Sequence, residues 1–299
     1  MQGLPLRTPG VIWIFQAFCE KRGESYLPAD PKTIRAFIEQ EVTAGKKPAT
    51  VRRYIATIGR AHIGAGLLNP CSSEAARLAL KKMGRETSAR QAQARDLGWK
   101  EIEEFIGSAG KGLRADRERA MLCVAYETLA RRGELVAIEL RDIEFWPNGT
   151  GQALIRRGKT DAEGRGRVAY LSRETVKWVN IWLEHANISE GAVFRRLIGA
   201  DQIGGALNPG SIAPIFKRAA QWIGMPARFV AEVSGHSTRV GAAQDLAALD
   251  IDLAAITQAG GWKSTRMPLQ YAEKINAARS GMARAAAATG RDEPVSEEG

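Results

Sequence analysis

Residues 236–239 read His236-Ser237-Thr238-Arg239, residues 260–262 read Gly260-Gly261-Trp262, and Tyr271 follows nine positions after Trp262. A His and an Arg three apart, if Ser237 caps a helix, lie at that helix's first turn. Free backbone N–H groups and the helix dipole favour an anion there. An Arg fork at that point can hold two phosphoryl oxygens. A phenol is almost fully protonated at neutral pH, so Tyr271 needs a base or a strong positive field before it can attack phosphorus. His236, Arg239, Arg266 and Lys274 are the groups the sequence offers for that.

Working outward, Arg131-Arg132-Gly133-Glu134-Leu135 puts Arg131 and Glu134 three apart, on one helical face, where they can pair. Residues 152–156 and 167–171 read as two short strands, and the polar, Gly-containing run 158–166 between them reads as a hairpin loop carrying Lys159. A lysine on a loop over an active site can protonate a leaving oxygen, help worth about 10²–10⁴-fold. Trp262 offers an indole N–H, which only donates. Each of these also has an ordinary structural reading: an Arg–Glu surface pair, a solvated loop lysine, a packed Trp, a half-buried Tyr. As a set they supply one nucleophile, proton donors and two fixed positive charges, which is what metal-free cleavage of a phosphodiester through a tyrosine link requires.

The remaining sequence predicts a mainly α fold with a small β-sheet. Asp30-Pro31 starts a helix with Ile34, Phe37, Ile38 and Val42 at helical spacing, and Gly45 ends it. A second helix from about Ala49 has Val51, Tyr54, Ile55 and Ile58 on one face and Arg52, Arg53 and Arg60 on the other, with Lys46 and Lys47 in the turn before it. That basic face fits solvent or a DNA backbone equally. Residues 84–95 turn polar and lose apolar periodicity, so a linker is placed at 86–95, between a helical domain at 1–85 and a second domain at 96–290. Helices are expected near 99–106, 116–129, 175–186 and 211–223, a Gly-rich loop at 199–210, and helices again from Ser237. Residues 291–299 read as a disordered acidic tail.

The chain has 299 residues, too many for one core to be the better expectation, and a net charge of +10, which favours a polyanionic partner such as nucleic acid. Cys19, Cys71 and Cys123 are scattered, as are His62, His185 and His236, so no zinc set forms locally. No P-loop, GxSxG or HExxH occurs, no metal or other cofactor is expected, and no apolar run is long enough to span a membrane. With no export pattern at the N-terminus, the expectation is a cytoplasmic protein.

In their order along the chain, Arg131, Glu134, Lys159, His236, Arg239, Trp262 and Tyr271 resemble the tyrosine recombinase (phage integrase) family, over residues from about 85 to 290. The resemblance implies an N-terminal helical core-binding domain and a mixed α/β catalytic domain with a C-terminal docking helix at 275–288. It implies a site-specific DNA recombinase in which Tyr271 forms a 3′-phosphotyrosyl link and Arg131 and Arg239 hold the phosphate. Trp262 adds a hydrogen bond, His236 assists proton transfer, Lys159 protonates the leaving oxygen and Glu134 orients the site. The implied partner is double-stranded DNA with inverted-repeat recombination sites, bound by a homotetramer on two sites (monomer or dimer when free) that exchanges strands through a Holliday junction without ATP. Lys217 and Arg218, on the 211–223 helix, would lie near phosphates. Pro268, three residues before Tyr271, predicts a loop or a fresh helix start there. The competing readings are a non-catalytic sequence-specific DNA-binding factor, which has no use for Tyr271, and a topoisomerase IB-like enzyme that nicks and reseals one duplex.

Overall fold

A computed structural model describes residues 10–87, 93–156, 166–199 and 202–292. Lys159, residues 88–92 of the expected linker and residues 293–299 of the expected tail lie outside this set. The chain divides by compactness into two units, 1–92 and 93–299.

The first unit is four helices, α1 (Val11–Arg22), α2 (Pro31–Thr43), α3 (Pro48–Gly64) and α4 (Glu74–Glu86). Asp30 caps α2 by accepting from the Lys32 N–H at 2.7 Å, with Pro31 at the first helical position. The core is aromatic: Phe37 meets Phe15 and Phe18 edge-on at 5.1 and 5.2 Å between centroids, over buried Ile34, Ile38, Val51 and Ile58. His62 is part of this core. Its Nδ1 lies 2.9 Å from the Ile58 carbonyl and its Nε2 accepts from the Ala29 N–H at 3.0 Å. Both ring nitrogens are thus satisfied in the neutral form. Helix α4 runs to Glu86, one residue beyond the 1–85 bound expected for the helical domain.

The second unit contains α5 (Trp99–Ser108), α6 (Leu113–Glu127), α7 (Arg132–Val136), strands β1 (Ile143–Phe145), β2 (Gly151–Ile155) and β3 (Arg167–Leu171), and α8 (Arg173–His185). Then follow β4 (Arg195–Ile198), β5 (Gln202–Ala206), α9 (Ile212–Trp222), α10 (Ala227–Glu232), α11 (Ser237–Ala248), α12 (Leu253–Ala259), α13 (Arg266–Tyr271), α14 (Glu273–Ala278) and α15 (Gly281–Ala288). The sheets are antiparallel, β1-β2-β3 and β4-β5. Helix α6 is the central element, buried from Asp116 to Ala125. Its charged residues are paired as they enter the interior. Asp116 meets Arg119 at 3.3 Å and His185 Nδ1 at 2.9 Å, and Glu118 meets Arg218 at 2.6 Å and Arg117 at 3.5 Å.

Several expectations are corrected here. The Gly-rich stretch 199–210 is not all loop, since β5 occupies 202–206 and pairs with β4. Main-chain hydrogen bonds make that ladder, and its glycines hide the side-chain alternation by which strands are read. Strand β1 and the short helix α10 were not anticipated. The 275–288 segment is not one helix: it breaks at Arg279-Ser280, where Ser280 caps α15 by accepting from the Ala283 N–H at 3.3 Å. Pro268 does stand in a fresh helix start, in the first turn of α13, where its missing N–H removes no helical bond. Among the described residues, no helix is long and apolar enough to cross a membrane.

Candidate active site

Arg131 is the cap residue of α7, entered through Leu129 in the left-handed region (φ 47°). Three residues on, the Glu134 carboxylate turns back. It accepts from the Arg131 backbone N–H at 3.0 Å and from the Arg131 guanidinium at 2.6 Å. Glu134 is buried while a quarter of the Arg131 side chain stays exposed. The pair is therefore an anchored arginine with one free edge rather than a surface ion pair.

Helix α11 starts at Ser237, with His236 in the cap position. Ser237 does not cap; its hydroxyl accepts from the Ser234 N–H at 2.9 Å. Arg239, in the first turn, is 2% exposed. Its guanidinium donates to the Leu129 carbonyl and, at 2.7 Å, to the Gly260 carbonyl, and lies 4.1 Å from the centre of the Trp262 ring. Burial, then the nearby Arg131, pushes its pKa down to about 10, with Tyr271 and Glu134 opposing, so it remains a cation at neutral pH.

Trp262 can fold back because the two residues before it are glycines. A Cβ on Gly260 would stand 2.0 Å from the indole, and Gly261 has φ +59°. The indole also meets Tyr271, the last residue of α13, whose ring lies edge-on at 5.9 Å between centroids. The Tyr271 carbonyl accepts from the Gln244 side chain at 3.1 Å, fixing the end of α13 to α11. His236 sits at the open rim, beside Arg132, whose stem packs on Gly235. Partial burial, then the charges of Arg239, Arg132 and Arg131, lower its pKa against a weaker pull from Glu134. The neutral imidazole, a proton acceptor, is favoured.

The structure thus brings together Arg131, Glu134, His236, Arg239, Trp262 and Tyr271. Lys159 lies outside the described residues. Among those described, no three His, Cys, Asp or Glu side chains converge as a metal site. Lys46, Lys47, Arg52, Arg53 and Arg60 are exposed on the first unit and form no ion pair with a described residue. Lys217 and Arg218 are engaged by their own chain: Lys217 donates to the Ala231 carbonyl at 3.0 Å and Arg218 to buried Glu118 at 2.6 Å.

One cluster member escaped the sequence reading. Arg167, the first residue of β3, donates to the Thr128 carbonyl and lies 4.0 Å from Glu134. Alternation alone does not find it: Arg167 shares a strand face with buried Ala169 and Leu171, but the opposite face carries Val168 and Tyr170, apolar yet exposed.

The chain is similar to known proteins in sequence and in fold. The phage integrase family matches residues 95–277, more than half of the chain. The recombinase Cre of Escherichia phage P1 is 25% identical over 286 residues, 90% of this chain and 83% of that one. The integrase/recombinase XerD homolog of Selenomonas ruminantium is 28% identical over 276 residues, covering 88% and 79%. The solved XerH site-specific recombinase, bound to palindromic difH substrate in a post-cleavage complex, shares the fold at TM-score 0.57 and 18% identity, covering 85% of this chain and 70% of that one. With the family matched across its second unit and relatives aligned over most of its length, the chain belongs to the phage integrase family, the tyrosine site-specific recombinases.

Proposed function

We propose that this chain cuts and rejoins duplex DNA at inverted-repeat sites through a 3′-phosphotyrosyl intermediate, with no metal or ATP. The Tyr271 oxygen attacks the scissile phosphorus and its proton passes to neutral His236. The bond to the 5′ oxygen breaks, and Lys159 protonates that oxygen as it leaves. The products are a 3′-phosphotyrosine and a free 5′-hydroxyl. The phosphodiester's bond energy is kept in the tyrosyl link, so a 5′-hydroxyl from a second duplex can attack it and expel the tyrosine. Arg131 and Arg239 neutralise the non-bridging oxygens, with the Trp262 N–H as a further donor. Four copies on two sites carry this through a Holliday junction. Helix α15, none of whose residues is buried against its own chain, is the segment this reading assigns to contact with a neighbouring copy.

The observation that carries the reading is the contiguous order Arg239, Trp262, Tyr271 within one chain, at 4.1 and 5.9 Å, next to the Glu134-anchored Arg131. A DNA-binding factor has no need of a tyrosine held beside a buried guanidinium. The test begins by selecting the preferred duplex from a random-sequence library, then nicking it beside the scissile phosphate so that cleavage is trapped. The wild type should give a covalent protein–DNA band on a denaturing gel in chelator, and Tyr271→Phe should give none. A band that survives in Tyr271→Phe rejects the nucleophile; one that needs a divalent ion rejects the metal-free route.

A further inference from the structure

We infer that Arg167 is a positioning residue of the strand-transfer site, holding Glu134, and through Glu134 the phosphate-binding Arg131, in the arrangement that cleavage requires. The inference rests on the function proposed above and adds a residue to it.

Three segments of the site meet on this one side chain. The guanidinium donates to the Thr128 carbonyl, in the turn that leads to Arg131, and lies 4.0 Å from the Glu134 carboxylate oxygen that caps the Arg131 N–H. The stem runs against the Gly260-Gly261-Trp262 turn so closely that a Cβ on Gly261 would stand 2.8 Å from the Arg167 Cδ. The side chain is 17% exposed, and its Nη1 is buried with no hydrogen-bond partner among the described residues. Burial lowers its pKa and Arg131 adds to that, while Glu134 opposes. A buried guanidinium that keeps a donor unpaired is costly as a purely structural element.

Charge gives it a use. Arg131, Arg167 and Arg239 surround one carboxylate, Glu134. Three cations and one anion leave two positive charges in a largely dehydrated site. A phosphodiester brings one negative charge and an attacking phenolate a second. Without Arg167, Arg131 and Arg239 less Glu134 would balance only one of those two charges. Because Arg167 reaches Glu134 and the Thr128 carbonyl rather than the open edge of Arg131, it acts through these neighbours and not on the phosphate itself.

The test compares cleavage of the trapped substrate with an ordinary 5′ oxygen and with a bridging 5′ sulfur, which leaves without a proton. Arg167→Gln in the full chain should slow adduct formation about 10- to 100-fold, the range expected for losing a hydrogen bond in which one partner, here the guanidinium on the Thr128 carbonyl, is charged. The loss should be the same for both leaving groups. Combined with Glu134→Gln, it should slow the reaction little beyond the worse single variant, because both changes release the same arginine. Duplex affinity on gel shift should be retained. A loss confined to the oxygen substrate would assign Arg167 to the lysine hairpin instead and overturn the inference, as would multiplying losses in the double variant, or no loss at all. Should Arg167→Gln fail to fold, Arg167→Lys decides by the same comparison, since it keeps charge and stem but is too short to bridge Thr128 and Glu134. A wild type that forms no adduct counts against the proposed function; an active wild type with an unimpaired Arg167→Gln counts against this inference alone.

Discussion

At the scale of single residues, the proposed mechanism needs a charge that stays fixed and a proton that moves. Arg239 is fixed: two carbonyls and an indole face hold its guanidinium. His236 is the mobile member, and its environment sets its protonation. Burial comes first among the causes that depress its pKa, followed by Arg239, Arg132 and Arg131. A depressed histidine pKa means the acceptor form persists below the ordinary value near 6.5, so the acid limb of the cleavage rate should fall below that pH. Of the three cations, Arg132 alone is exposed and free of a described ion pair, so it can be removed without unpairing a buried group. Arg132→Gln should raise the His236 pKa and move the acid limb to higher pH. Initial adduct rates across pH 5–8 would check this; an unmoved limb, or one displaced downward, removes His236 as the proton acceptor. The residues that the structure brings together, Arg131, Glu134, His236, Arg239, Trp262 and Tyr271, were legible because their types are chemically specific and their order along the chain is distinctive. Arg167 was not, since an arginine opening a strand after a polar loop looks solvated until the strand's buried face is known.

At the scale of elements, two short turns do most to assemble the site. Residues 128–131 turn through a left-handed leucine to present Arg131, and residues 260–262 turn through a left-handed glycine to lay Trp262 between Arg239 and Tyr271. Both are too short to carry periodicity, so a sequence pattern marks only their glycines and charges. The same limit hid β5, where Gly204-Gly205 interrupts the alternation, and the break at Arg279-Ser280 in an otherwise alanine-rich run. Long helices with a clean apolar face were legible: α2 nearly to the residue at both ends, and α3 at its start. The importance of the second turn is testable. Gly261→Ala places a side chain in the left-handed region, costing roughly 1–2 kcal/mol, and drives its Cβ onto Arg167 Cδ. It should lower the urea midpoint and slow adduct formation with both leaving groups, as Arg167→Gln does. Unchanged stability together with unchanged cleavage would show that this turn and Arg167 are not coupled.

At the scale of the whole molecule, the excess of ten positive charges does not act as one surface. Some basic residues are structural. Arg218 and Arg117 neutralise Glu118 as α6 enters the core, and Arg119 pairs with Asp116. Others, Lys46, Lys47, Arg52, Arg53 and Arg60, stand exposed on the first unit without a described anionic partner. The two groups should answer differently to the same experiment. If the exposed set meets a DNA backbone, each residue replaced by Gln should reduce the slope of log affinity against log salt by roughly 0.9, because one fewer counterion is displaced per lost phosphate contact. Arg218→Gln should leave that slope unchanged and instead lower stability by about 1–2 kcal/mol, a modest loss because Arg117 still faces Glu118 and Arg218 is partly exposed. Salt titrations of duplex binding, with urea unfolding of the same variants, separate the outcomes. A flat slope response across the exposed set would move the DNA contact off this face. A slope change in Arg218→Gln without destabilisation would mean that its pairing with Glu118 yields to phosphate when DNA binds.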